Sequence, residues 1–70
     1  MLQTILIPRE VPLVNAIRWL KEHNYLAYKV DYTKDYMRFR QRKPKKNLAY
    51  YSIKFNLDGV DKPGYLVYQE

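Results

Sequence analysis

Residues 36–44 read YMRFRQRKP, which sets Arg38, Arg40 and Arg42 on alternate positions with aromatic or polar residues between them. A guanidinium group is permanently charged, forks onto phosphate oxygens through two parallel hydrogen bonds, and stacks on planar rings. Placed at every second residue of an extended segment, such groups share one side and can follow a row of phosphates. Tyr36 and Tyr50 add flat rings for stacking, worth roughly 1–3 kcal/mol per base in proteins that bind single strands. Lys29, Lys43, Lys45, Lys46 and Lys54 complete the candidate set, with Tyr25 and Tyr65 at its margins. The KPKKN stretch at residues 43–47 supplies three of these lysines.

The chain of 70 residues carries 13 Lys and Arg against 7 Asp and Glu, a formal net charge of +6. No acid occurs between Asp35 and Asp58, a span that holds Arg38, Arg40, Arg42, Lys43, Lys45, Lys46 and Lys54. The remainder is close to neutral, so the basicity is regional. A concentrated positive field points to an anionic partner, such as nucleic acid, an anionic membrane or an acidic face of another protein. Alternating arginines also occur as the plain solvated side of a sheet. Against that reading, like charges side by side repel, and the sequence places no acid within the segment to offset them.

Catalytic constellations do not assemble. His23 is the sole histidine, Ser52 the sole serine, and cysteine is absent. One chain therefore cannot build a Ser-His-Asp triad, a histidine metal cluster or a thiolate site. Asp31 with Asp35, and Asp58 with Asp61, could hold Mg²⁺ in a small nuclease, but their spacing is that of turn-forming aspartates. Gly59 and Gly64 both sit at turns, which leaves no phosphate-cradling glycine loop. The expectation is a protein that is not an enzyme and uses no cofactor or metal.

The elements that must position the basic residues follow from periodicity. Leu2 to Ile7 reads as a strand stopped by Pro8. Pro12 opens a helix with Leu13, Ala16, Ile17 and Leu20 on one side and Asn15, Arg18, Lys21 and Glu22 on the other, with Trp19 at the edge. Asn24 suits a left-handed helix end. From Tyr25 to Arg42 the period becomes two, giving two strands around a Thr33-Lys34-Asp35 turn, with Leu26, Tyr28, Val30, Met37 and Phe39 facing inward and Gln41 alternating with the arginines. KPKKN reads as a loop. Tyr51, Ile53 and Phe55 then face inward from a fourth strand, turns follow at Asp58-Gly59 and Pro63-Gly64, and GYLVYQE closes the chain as a short strand. The predicted fold is a single α+β domain over residues 1–70, ordered β-α-β-β-β-β, with one amphipathic helix on one face of a mostly antiparallel sheet of four or five strands. A core this small leaves little margin, so a homodimer stays open.

Val30-Asp31, Thr33, Tyr36, Arg38-Phe39-Arg40-Gln41 and Pro44 lie between an ILIP opening, a WLKEHNY helix end and an LDGV turn. This pattern resembles a small module of unsettled function in proteins of tailed phages and large DNA viruses, and the resemblance runs from about Thr4 to Tyr68. It implies a viral or mobile-element origin and brings no catalytic residue. Lys43 stands where the pattern carries an acid before the proline. The function expected is a nucleic-acid-binding module, DNA or RNA; the alternative is a viral inhibitor or assembly factor that lays the same basic surface on an acidic host or viral protein. No stretch approaches the roughly 18 apolar residues that span a bilayer, and MLQTILIPRE lacks the basic start of a signal peptide. No membrane partner is expected, and the location expected is intracellular: host cytoplasm, nucleus or virion.

Overall fold

The computed structural model describes residues 1–46 and 48–69. Its elements are β1 (Leu2–Pro8), α1 (Leu13–Glu22), β2 (Val30–Tyr32), β3 (Tyr36–Arg40), β4 (Tyr50–Phe55) and β5 (Gly64–Gln69). The five strands form one sheet in the order β2-β3-β1-β5-β4, and every pairing is antiparallel. This is the α+β architecture and element order that the periodicities predict.

β1 is the middle strand, paired with β3 on one flank and β5 on the other. Ile5 and Ile7 are fully buried; Ile5 lies opposite Phe39 of β3 and Leu66 of β5, and Ile7 opposite Met37. Ala16 and Leu20 of α1 close over these side chains, one helical turn apart on the face the sequence marks as apolar. The helix ends at Asn24, which adopts the left-handed conformation (φ 63°), while the Tyr25 N–H returns to the Leu20 carbonyl at 2.8 Å. Trp19 extends the core toward β4 by stacking on Phe55, with centroids 4.7 Å apart. Phe55 sits opposite Gly64, and its ring occupies the space a Cβ at Gly64 would fill.

Three expectations need correction. Residues 25–29 are irregular, so the second strand is only Val30–Tyr32; Leu26 is 48% exposed and Tyr28 75% exposed. The physical reason is that β3 ends at Arg40, opposite the start of β2, which leaves no backbone ladder for residues further back. The Gln41 side chain substitutes for that ladder, accepting from the Leu26 N–H at 2.8 Å and donating to the Leu26 carbonyl at 2.9 Å. Second, Tyr51 and Ile53 lie on the helix side yet remain about half exposed. β4 is the far edge of the sheet, and α1 reaches it at Phe55, through Trp19, while Tyr51 and Ile53 lie further along the strand and stay uncovered. Third, Arg42 lies outside β3. The N–H groups of Gln41 and Arg42 both point at the Gln3 carbonyl, at 2.8 and 3.2 Å, and two residues facing one is a β-bulge that ends the alternation.

Candidate nucleic-acid interface

Residues directly opposite in paired strands share a face, so the registers lay out the open side of the sheet. One row runs Asp31, Arg38, Leu6, Tyr65, Lys54 across all five strands; the next runs Arg40, Thr4, Val67, Ser52. Tyr36 and Tyr50 stand on the same face at its two ends. Arg38, Arg40, Lys54, Tyr36 and Tyr50 are thus brought onto one surface as the alternation predicts. The surface is broad: three strand spacings separate β3 from β4, roughly 14 Å. Lys29 is exposed in the irregular segment before β2, at the Arg40 end, and not within a strand. Tyr25, a margin candidate, packs instead against the core near Trp19.

The loop after β3 crosses that same end. Gln69 continues the alternation of Tyr65 and Val67, so it belongs to the open face, yet it is only 2% exposed. Lys45 covers it. The Lys45 N–H donates to Gln69 Oε1 at 2.8 Å, and Gln69 Nε2 donates back to the Lys45 carbonyl. Gln3 Nε2 holds the Arg42 carbonyl at 2.9 Å, and the Thr4 hydroxyl donates to Gln3 Oε1 at 2.6 Å. Two side-chain amides therefore imitate missing strand neighbours and fix the backbone that carries Arg42, Lys43, Lys45 and Lys46. Asn47, the last residue of KPKKN, lies outside the described residues. Sequence reading missed Gln3 and Gln69, because a glutamine that caps a loop leaves no periodic trace.

Electrostatics refine the picture. Arg38 is not free of acid, contrary to expectation: Asp31, directly across on β2, approaches it at 3.9 Å. Both side chains are more than two-fifths exposed, so the pair is weak, about 0–1 kcal/mol. At the opposite end of the strands Lys62 meets Asp35 at 3.2 Å and Glu10 at 3.8 Å. The hydrogen bond to Asp35 is the main reason the Lys62 ammonium is held above its ordinary value. Arg9 is occupied there too, its guanidinium 5.0 Å over the Tyr32 ring and donating to the Thr33 carbonyl. Among the described residues no such ion pair forms at Arg40, Arg42, Lys43, Lys45, Lys46 or Lys54.

Tyr36 differs from its predicted role as a free stacking ring. It is half-buried, its hydroxyl donates to the Pro63 carbonyl at 3.1 Å, and its ring tilts onto Tyr65 at 5.9 Å. Burial above all, and then the neighbouring Tyr65 phenol, pushes its pKa above the usual 10.0. Tyr50 remains available, 55% exposed. Between them the open face sinks into a depression of about 340 Å³, floored by Thr4, Leu6 and Val67 and rimmed by Tyr36, Arg38 and Tyr50. A larger cleft of about 480 Å³ lies beside α1 and the 56–60 turn, with Glu10, Glu22, Asp58 and Arg18 among its lining residues. Its mixed charge does not suit a polyanion, so the smaller depression is the better candidate.

Comparison with known protein families, with curated proteins and with solved structures finds no match for this chain. No helix among the described residues is long and apolar enough to cross a membrane.

Proposed function

We propose that the protein is a non-enzymatic nucleic-acid-binding module that uses the open sheet face and the anchored basic loop. The observation that carries this reading is the collection of cations without an ion pair among the described residues, Arg40, Arg42, Lys43, Lys45 and Lys46, at one end of a sheet whose other end is balanced by acids. Like charges held together by a fixed backbone repel one another, and a polyanion relieves that repulsion. Phosphate contacts release counterions, so binding is largely independent of sequence and weakens steeply with salt. The resemblance around Val30-Asp31 and the RFRQ run supports a virus- or phage-encoded, intracellular protein. The test is an anisotropy titration with labelled oligonucleotides at two salt concentrations. Affinity at low salt that falls with salt, and a smaller salt dependence when Arg38, Arg40 and Arg42 are all replaced by alanine, is the expected result. Absence of binding at low salt, or indifference to the triple replacement, refutes it.

A second reading has its own support. The half-exposed Tyr50, Tyr51 and Ile53 suit a protein partner laid along edge strand β4, where Tyr50 adjoins the basic face and an acidic patch of the partner would meet it. Capture experiments from host lysate with and without nuclease treatment separate the two: a partner retained after nuclease favours protein docking.

A further inference from the structure

The depression on the open face carries more than charge, and a ligand role for it rests on the nucleic-acid reading of that face. Its floor is apolar where it is open, formed by Leu6 and Val67 beside Thr4. The polar atoms beneath are already satisfied: Thr4 donates to Gln3, and Gln3 donates to the Arg42 carbonyl. The floor therefore asks for no hydrogen bond and offers only contact area. An exposed tyrosine, Tyr50, stands at one edge, and the guanidinium of Arg38 at another.

That combination discriminates between forms of nucleic acid. A duplex keeps the flat faces of its bases stacked inside and presents phosphates and base edges, so an apolar floor and a free ring have nothing to meet. A single strand can turn a base outward and lay its face on tyrosine and aliphatic surface. The space is ample for one base with part of its sugar. A phosphate beside such a base would lie toward Arg38 and Arg40, which share this face, and the Lys45 backbone, fixed by Gln69, leads from there to the remaining lysines. α1 is packed on the far side of the sheet, and its outer side alternates Arg18 and Lys21 with Glu22, which makes it a poor reader of a duplex groove.

We infer that the ligand is single-stranded nucleic acid, and that one of its bases seats between Leu6, Val67 and Tyr50 while its backbone is held by Arg38, Arg40 and the loop.

The test titrates the folded protein with a labelled oligothymidylate, an oligouridylate and a mixed-sequence duplex of equal length, at low and moderate salt. Tyr50→Ala, Tyr50→Phe and Leu6→Lys are compared with the parent, with circular dichroism to verify folding. Single strands are expected to bind at least about tenfold more tightly than the duplex. Tyr50→Ala is expected to weaken single-strand binding about tenfold and leave duplex binding and the salt slope unchanged, while Tyr50→Phe keeps most of the affinity. Leu6→Lys guards against a misfolded alanine variant: it adds a cation, so reduced single-strand affinity marks lost base contact, not lost charge. Equal affinity for duplex and single strand, or Tyr50→Ala without effect, overturns the base seat and leaves the broader reading standing. No binding to any of the three overturns both.

Discussion

At the scale of single residues, the open face balances attraction against occupation. Asp31 already contacts Arg38, so an incoming phosphate must displace a carboxylate. Asp31→Asn should therefore strengthen oligonucleotide binding, by up to about fivefold given the weakness of exposed pairs, as read by anisotropy at low salt. A nuclease that used Asp31 to hold metal would instead lose cleavage in the same variant. Tyr36 gives a second prediction. Its phenol has a folded-state pKa above the unfolded one, so its contribution to stability is intact below about pH 10 and is lost as pH rises through the folded value. Lys62 acts in the same direction, because deprotonation removes its pairs with Asp35 and Glu10. Tyr36→Phe should cost about 0.5–1.5 kcal/mol at neutral pH through the lost bond to Pro63, and should reduce the alkaline fall in Tm. The positions of Arg38 and Arg40 were legible in the sequence because strand geometry allows only two directions. The occupation of Tyr36 was not, since Pro63 and Tyr65 come to it from a distant part of the chain, and the Asp31 contact was not, since it depends on the register across the 33–35 turn.

At the scale of elements, the devices that end strands matter as much as the strands. Gln69 is buried under Lys45 and replaces a strand partner with one side-chain amide. Gln69→Ala should leave both Lys45 backbone groups unpaired, cost about 1–3 kcal/mol, and speed amide exchange at Lys45 well before the rest of the sheet. At the other end of β5, Gly64 leaves room for Phe55, which in turn stacks on Trp19. Gly64→Ala should push that ring off its seat, cost about 1–3 kcal/mol in denaturant unfolding, and change tryptophan fluorescence in the native state. The helix was readable down to its Asn24 end, because apolar spacing and a residue tolerant of left-handed backbone act locally. Residues 25–29 misled: Leu26 and Tyr28 continue the alternation that Val30 begins in β2, but β3 stops before it can pair with them. Alternation states which way side chains would point in a strand, and it does not supply the neighbour that makes one.

For the whole molecule, the strand axis is also an axis of charge. Lys29, Arg40, Arg42, Lys43, Lys45 and Lys46 gather where β3 ends and β5 finishes, while Glu10, Asp35, Asp58 and Asp61 accompany Arg9, Lys34 and Lys62 toward the other end. Such polarity orients an approaching polyanion before contact. Replacing Lys43, Lys45 and Lys46 with glutamate should slow oligonucleotide association by about tenfold or more at low salt while moving Tm little, as stopped-flow and thermal melts would read. The strand order itself could not be read from the sequence, because placing the first strand in the middle is a long-range choice that short-range patterns do not encode. That order has one more effect. It puts the six-residue β4, with a single charge at Lys54, on the outside, and gives the blunter three-residue β2 the opposite margin. Every other amide and carbonyl along β4 therefore looks outward to water, and an extended peptide laid beside Tyr50–Phe55 would find a ready-made template: growth of the fabric can proceed from one selvedge only, and Lys54 is its lone guard.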